Sequence, residues 1–84
     1  MPYFPMQTLA PLGHGLRASR KKQFPKDNLD DFALRISVSR ATLQKMEKGD
    51  MTVSMAKYFQ AAEILGLTHN FEQLLTSEDS LFDD

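Results

Sequence analysis

The chain is 84 residues long, 42% hydrophobic and 25% charged, with a formal net charge of −1. That length supports one domain with one core, and the lack of cysteine excludes a disulfide framework or a thiolate zinc site. The longest apolar run is far below the roughly 18 residues of a membrane span, and the opening MPYFPMQTLAP lacks the regions of a secretion signal, so a cytoplasmic, soluble protein is expected.

Residues 1–8 read as an arm whose Tyr3, Phe4 and Pro5 fold onto the domain, pair with a partner or stay free. A first helix is predicted from about Leu9 to Lys22, with Pro11 in its first turn and Leu12 and Leu16 facing inward. Gly13 and Gly15 weaken that helix by roughly 1 kcal/mol each relative to alanine, which makes sense where another helix packs closely.

The segment from Asn28 to Asp50, NLDDFALRISVSRATLQKMEKGD, is the most informative stretch. Asn28 is a good N-cap and sets Asp30 and Asp31 in a first turn, against the positive end of the helix dipole. Leu29, Phe32, Ala33 and Ile36 then form one apolar stripe. Ser39 caps the next helix, Val38 before it can staple onto Leu43, and Gly49 closes it where a left-handed residue is wanted. Two short amphipathic helices around a tight Ile-Ser-Val-Ser junction are what a helix-turn-helix needs.

On the second of these helices Leu43 and Met46 share one side, while Arg40, Ala41, Gln44, Lys45 and Lys48 share the other. Arginine forks match guanine O6 and N7, the glutamine amide matches adenine N6 and N7, and lysines hold phosphates. Any solvated helix face carries such residues too. The paired caps and the small Ala41, which lets backbone approach a thymine methyl, favour a reading helix.

A fourth helix should start after the Ser54 cap and end at Gly66, burying Met55, Phe59, Ala62 and Leu65. A fifth, roughly His69 to Thr76, brings Phe71, Leu74 and Leu75, which either close the core or form a dimer or partner surface. The acidic tail, residues 77–84, holds Leu81 and Phe82; it either solubilises the end or docks those two side chains into a partner groove. The organisation expected is therefore an arm (1–8), a helix-turn-helix DNA-binding domain (9–76) and a tail (77–84), with an all-α, compact five-helix fold.

Charge is unevenly spread. Residues 1–28 carry a balance of +4, residues 29–50 of zero and residues 51–84 of −5. Counterion release depends on local phosphate neutralisation, so the basic N-terminal half, with Lys22 in the run RASRKK, is compatible with DNA despite the net charge. The same cations would also suit a solvated helix C-terminus. Catalysis is not expected: His14 and His69 have no neighbouring ligand spacing, and no nucleophile set, phosphate-binding glycine loop or calcium loop is present. No cofactor or metal is implied.

From Leu12 to Leu75 the chain resembles the Xre, or Cro/phage-repressor, type of helix-turn-helix, with the lambda-repressor-like fold that implies. The resemblance rests on LGHGLRASR (Leu12 to Arg20), FALRISVSRATLQKMEKGD (Phe32 to Asp50) and VSMAKYFQAAEILGL (Val53 to Leu67). Within the family, the VSRATLQKMEKGD and VSM pattern is most similar to small HipB-like antitoxins that accompany HipA-type kinases. The resemblance implies base contacts from Arg40, Ala41, Gln44 and Lys45, phosphate contacts from Asn28, Ser39 and Lys48, and a charged pair between Arg20 and Glu47. It also implies a homodimer on a palindromic operator, autoregulation and a HipA-like toxin kinase as partner. The alternative is a module that neutralises such a kinase by contact, with little DNA affinity. Leu29 departs from the family pattern, which often has a phosphate-donating glutamine there, and the stretch from Arg20 to Asn28 is about two residues longer than usual.

Overall fold

The computed structural model describes residues 8–77, and these form α1 (Ala10–Gln23), α2 (Leu29–Arg35), α3 (Arg40–Glu47), α4 (Met55–Leu65) and α5 (Thr68–Glu72). Phe32, Ile36, Leu43 and Met46 are the largest fully buried side chains, joined by Leu16, Ala33, Tyr58, Ala61 and Leu65. The core therefore lies where α1, α2, α3 and α4 meet, and the helix-turn-helix supplies its centre.

Short helices need defined ends, and α2 to α4 have them. Asn28 accepts from the Asp31 amide at 2.8 Å while its own amide donates to the Asp31 carboxylate at 3.1 Å, a reciprocal box. Ser39 and Ser54 accept from the Thr42 and Lys57 amides at 3.0 and 3.4 Å. At the other ends, Ser37, Gly49 and Gly66 take left-handed backbone at φ of 62°, 76° and 71°. Each sits in the same pair of hydrogen bonds. Thus Val38 donates to Ala33 O and Ser37 to Leu34 O, Asp50 to Lys45 O and Gly49 to Met46 O, and Leu67 to Ala62 O and Gly66 to Glu63 O.

Several expectations shift. The first helix begins one residue later than expected, at Ala10. The buried face of α4 is Tyr58, Ala61, Ala62 and Leu65, whereas Met55 is 62% and Phe59 37% exposed. Tyr58 turns inward because its hydroxyl finds a partner there, donating to Asp50 O at 2.7 Å. Phe59 packs edge-on against Phe71, with ring centroids 5.4 Å apart. The last helix stops at Glu72 instead of running to Thr76, and beyond it Leu74 and Leu75 are exposed.

The two glycines of α1 have different surroundings. A Cβ on Gly13 would strike the Glu47 carbonyl and the Gly49 nitrogen, so α1 and the end of α3 touch backbone to backbone. A Cβ on Gly15 would meet nothing within 4 Å. The contact at Gly13 is extended by Leu9, whose amide donates to Gly49 O at 2.6 Å, and by an antiparallel bridge between Thr8 and Asp50. Part of the expected arm, Thr8, is thus tied to the turn after α3, while Tyr3, Phe4 and Pro5 lie outside the described residues.

Because both glycines lie within one helix, alanine should restore the same intrinsic propensity at each, and only the contact should differ. We expect Gly13→Ala to lose about 1–3 kcal/mol by overpacking and Gly15→Ala to gain up to about 1 kcal/mol, read from urea denaturation midpoints. Equal effects would mean that the close approach of α1 to α3 is absent in solution.

Candidate nucleic-acid interface

Helix α3 is only Arg40–Glu47, too short to be stable alone, so its pose depends on what holds it. Leu43 and Met46 are fully buried, and Val38 packs against the same core just before the Ser39 cap. At its last residue, the Glu47 carboxylate receives Arg20 from α1 in two hydrogen bonds, Nε to Oε2 at 2.5 Å and Nη2 to Oε1 at 3.2 Å. Arg20 is 6% exposed although charged, a burial tolerable only with a matched partner.

With its inner face engaged in this way, α3 turns Arg40, Ala41, Gln44, Lys45 and Lys48 to solvent. Arg40 lies 3.5 Å from the Asp30 carboxylate of α2, and both side chains are more than half exposed. A surface pair of that kind is worth about 0–1 kcal/mol, so the guanidinium can leave for a stronger acceptor at small cost. Asn28 and Ser39, the two caps, are also exposed at the N-termini of α2 and α3. Capping uses the Asn28 carbonyl oxygen and leaves its amide nitrogen, the donor a phosphate needs. The Ser39 hydroxyl donates to Thr42 Oγ1 at 3.0 Å and would have to swing from it to reach a phosphate. Lys22 is exposed in the last turn of α1.

Leu29, at the first position of α2, is partly buried and packed on the core. Its side chain contributes no donor to the interface. The longer stretch before it has a structural use: Phe24 tilts against Phe32 with centroids 5.7 Å apart, and the Arg35 guanidinium lies 4.3 Å over the Phe24 ring. Arg35 also grips Asp27, with Nε to Oδ2 at 2.5 Å and Nη2 to Oδ1 at 3.2 Å. The linker between α1 and α2 is therefore clamped by aromatic and ionic contacts.

Residue spacing alone did not single out His14 and Arg17 as part of this surface. They line a shallow polar cleft together with Gln44, Glu47 and Lys48, so α1 borders the outer face of α3. The signal was Gly13, one residue before His14, whose missing side chain lets the two helices close up. On the opposite side, an apolar groove of about 620 Å³ opens between α1, α4 and α5, lined by Leu12, Leu16, Tyr58, Leu65, Phe71 and Leu74. Phe71 is partly buried there, Leu74 is 55% and Leu75 95% exposed, and Leu81 and Phe82 lie outside the described residues. Among the described residues no helix is long and apolar enough to cross a membrane, and no three His, Cys, Asp or Glu side chains are grouped to hold a metal ion.

Residues 27–71, more than half of the chain, match the model of a helix-turn-helix family. The chain belongs to this Xre-like helix-turn-helix family, and its fold is the all-α fold expected of it. It is accordingly a DNA-binding regulator of the helix-turn-helix class. No curated protein and no solved structure matches the chain.

The Arg35 hydrogen bonds hold the Asp27 carboxyl below its ordinary value of 3.8. The Thr52 hydroxyl and amide lower Asp50 in the same direction, while burial raises Tyr58. For Asp27 the unfolded chain binds its proton more readily than the native one. The stabilisation is therefore present above the ordinary carboxylate range and lost as pH falls through the lowered value. In a carbon-detected NMR titration, Asp27 should titrate below 3.8 in the native protein and return close to it in Arg35→Ala. A midpoint unmoved by that substitution would mean the clamp does not form in solution.

Proposed function

We propose that the protein is a sequence-specific transcriptional repressor that reads a palindromic operator as a homodimer. The observation that carries this reading is the outward face of α3, with Arg40, Ala41, Gln44 and Lys45 exposed on a helix whose inner face and last residue are fixed. Arg40 and Gln44 offer the donor patterns that guanine and adenine edges accept, Ala41 leaves room for a thymine methyl, and Lys45 adds a base or phosphate contact. Asn28, Ser39, Lys48 and Lys22 hold the backbone and set register. Two-fold symmetry would present two such helices about one DNA turn apart. The exposed Leu74 and Leu75, with the groove beside Phe71, are the surface for the second copy.

Within this reading residues 9–76 are the DNA-binding unit, and the protein acts in the cytoplasm on the nucleoid. It represses its own operon as the antitoxin of a HipA-type toxin kinase. The resemblance of VSRATLQKMEKGD and VSM to HipB-like antitoxins supports that role. One observation favours a second reading: an apolar groove with exposed leucines at its rim also suits direct neutralisation of a partner kinase, with Leu81 and Phe82 of the tail as further anchors.

The two readings separate by titration against the DNA upstream of the protein's own gene, with a scrambled duplex alongside. For a repressor, Arg40→Ala and Gln44→Ala should each cost roughly 1–3 kcal/mol of discrimination while leaving affinity for the scrambled duplex nearly unchanged. Equal wild-type affinity for both duplexes would defeat sequence-specific repression and leave the partner-binding reading.

A further inference from the structure

We propose that α1 meets DNA along a second stretch, away from Lys22: His14 and Arg17 join Lys48 in a phosphate-holding flank beside the reading face of α3. The inference rests on the DNA-binding reading of that face and extends it to the middle of α1, two turns before Lys22.

The argument begins with Gly13. Because a Cβ there would collide with the backbone of Glu47 and Gly49, α1 approaches the end of α3 too closely for any side chain at that position. That approach brings the residues one and four positions after Gly13, His14 and Arg17, into a common cleft with Gln44 and Lys48. Gln44 belongs to both surfaces, so the cleft is continuous with the reading face. His14, Arg17, Gln44 and Lys48 are all exposed and reachable by a ligand as large as a duplex.

Charge favours an anion there. Arg17 and Lys48 are cationic, an imidazole can donate a hydrogen bond, and Arg17 enters no ion pair among the described residues. The one acid in the cleft wall, Glu47, is paired with Arg20 through two hydrogen bonds, which offsets its charge where a phosphate would come. At the start of α2 the side-chain donor is Asn28 alone, since Leu29 is apolar and packed on the core and Asp30 and Asp31 follow it. Further cationic groups for a backbone grip lie on the α1 side of α3. The ligand class is the phosphodiester backbone of duplex DNA.

Phosphate contacts are blind to sequence, so a short random-sequence duplex is a sufficient probe, with binding followed by fluorescence anisotropy across a salt series. In Arg17→Ala the slope of log affinity against log salt should fall by about one, equally on every duplex, with an unchanged melting temperature. Arg17→Lys, which keeps the charge, should restore the slope, and His14→Ala should weaken binding without altering sequence preference. If wild-type binding is salt-dependent but Arg17→Ala keeps the full slope, the flank is overturned and the helix-turn-helix reading stands. If wild-type protein shows no salt-dependent affinity for any duplex, the DNA-binding reading falls and this inference falls with it.

Discussion

An arginine on α1 and a glutamate at the last residue of α3, joined by two hydrogen bonds and largely withdrawn from water, set the position of the helix that carries the candidate interface. Two turns of helix cannot sustain themselves, so α3 exists only in the pose its neighbours impose. Leu43 and Met46 fix which side points inward, but an apolar stripe alone leaves a helix free to slide along its axis. A bidentate charge pair resists sliding because its geometry is specific. The close approach of Gly13 to the Glu47 carbonyl and the Gly49 nitrogen closes the same junction through the backbone. Together they link the outer face of α3 to the longest helix of the fold.

The junctions on either side of α3 follow the same economy of residues. Three helices end in one hydrogen-bonding pattern around a left-handed residue, glycine at positions 49 and 66 but serine at 37. An L-residue in that conformation costs roughly 1–2 kcal/mol. The Ile36-Ser37-Val38-Ser39 turn carries the strain because it has no room for slack: Ile36 must close the stripe of α2, Val38 must pack on the core and Ser39 must cap α3. At Gly49 a side chain is doubly refused, by the backbone angle and by the Leu9 carbonyl against which it lies.

What could be read from the sequence divides along a physical line. The caps at Asn28, Ser39 and Ser54 and the stops at Gly49 and Gly66 were legible because each depends on partners within a few residues. So was the inward stripe of Phe32, Ala33, Ile36, Leu43 and Met46, which follows from helical period alone. Long-range choices were less visible. Aromatic character gave no means of choosing between Tyr58 and Phe59 as the buried residue of α4; the choice depended on the Asp50 carbonyl waiting for a hydroxyl. Gly13 and Gly15 look alike in the chain and differ only in what lies across from them. The Phe24, Asp27 and Arg35 clamp was hidden because it brings together residues from both sides of the α2 cap. Within the candidate interface, the outward exposure of Arg40, Ala41, Gln44, Lys45 and Lys48 was legible from period, whereas the α1 border depended on a helix crossing that no local pattern encodes.

For the proposed repressor this junction matters, because a base-reading face is useful only if it is presented in one orientation before DNA arrives. The most direct measurement is a double-mutant cycle on stability with Arg20→Met, Glu47→Leu and the pair. Removing one partner leaves a buried charge unmatched, so each single change should cost roughly 3–5 kcal/mol, while the double change should recover much of that loss. Single costs that are small and simply add in the double variant would contradict the account, since α3 would then be held in place without the charge pair.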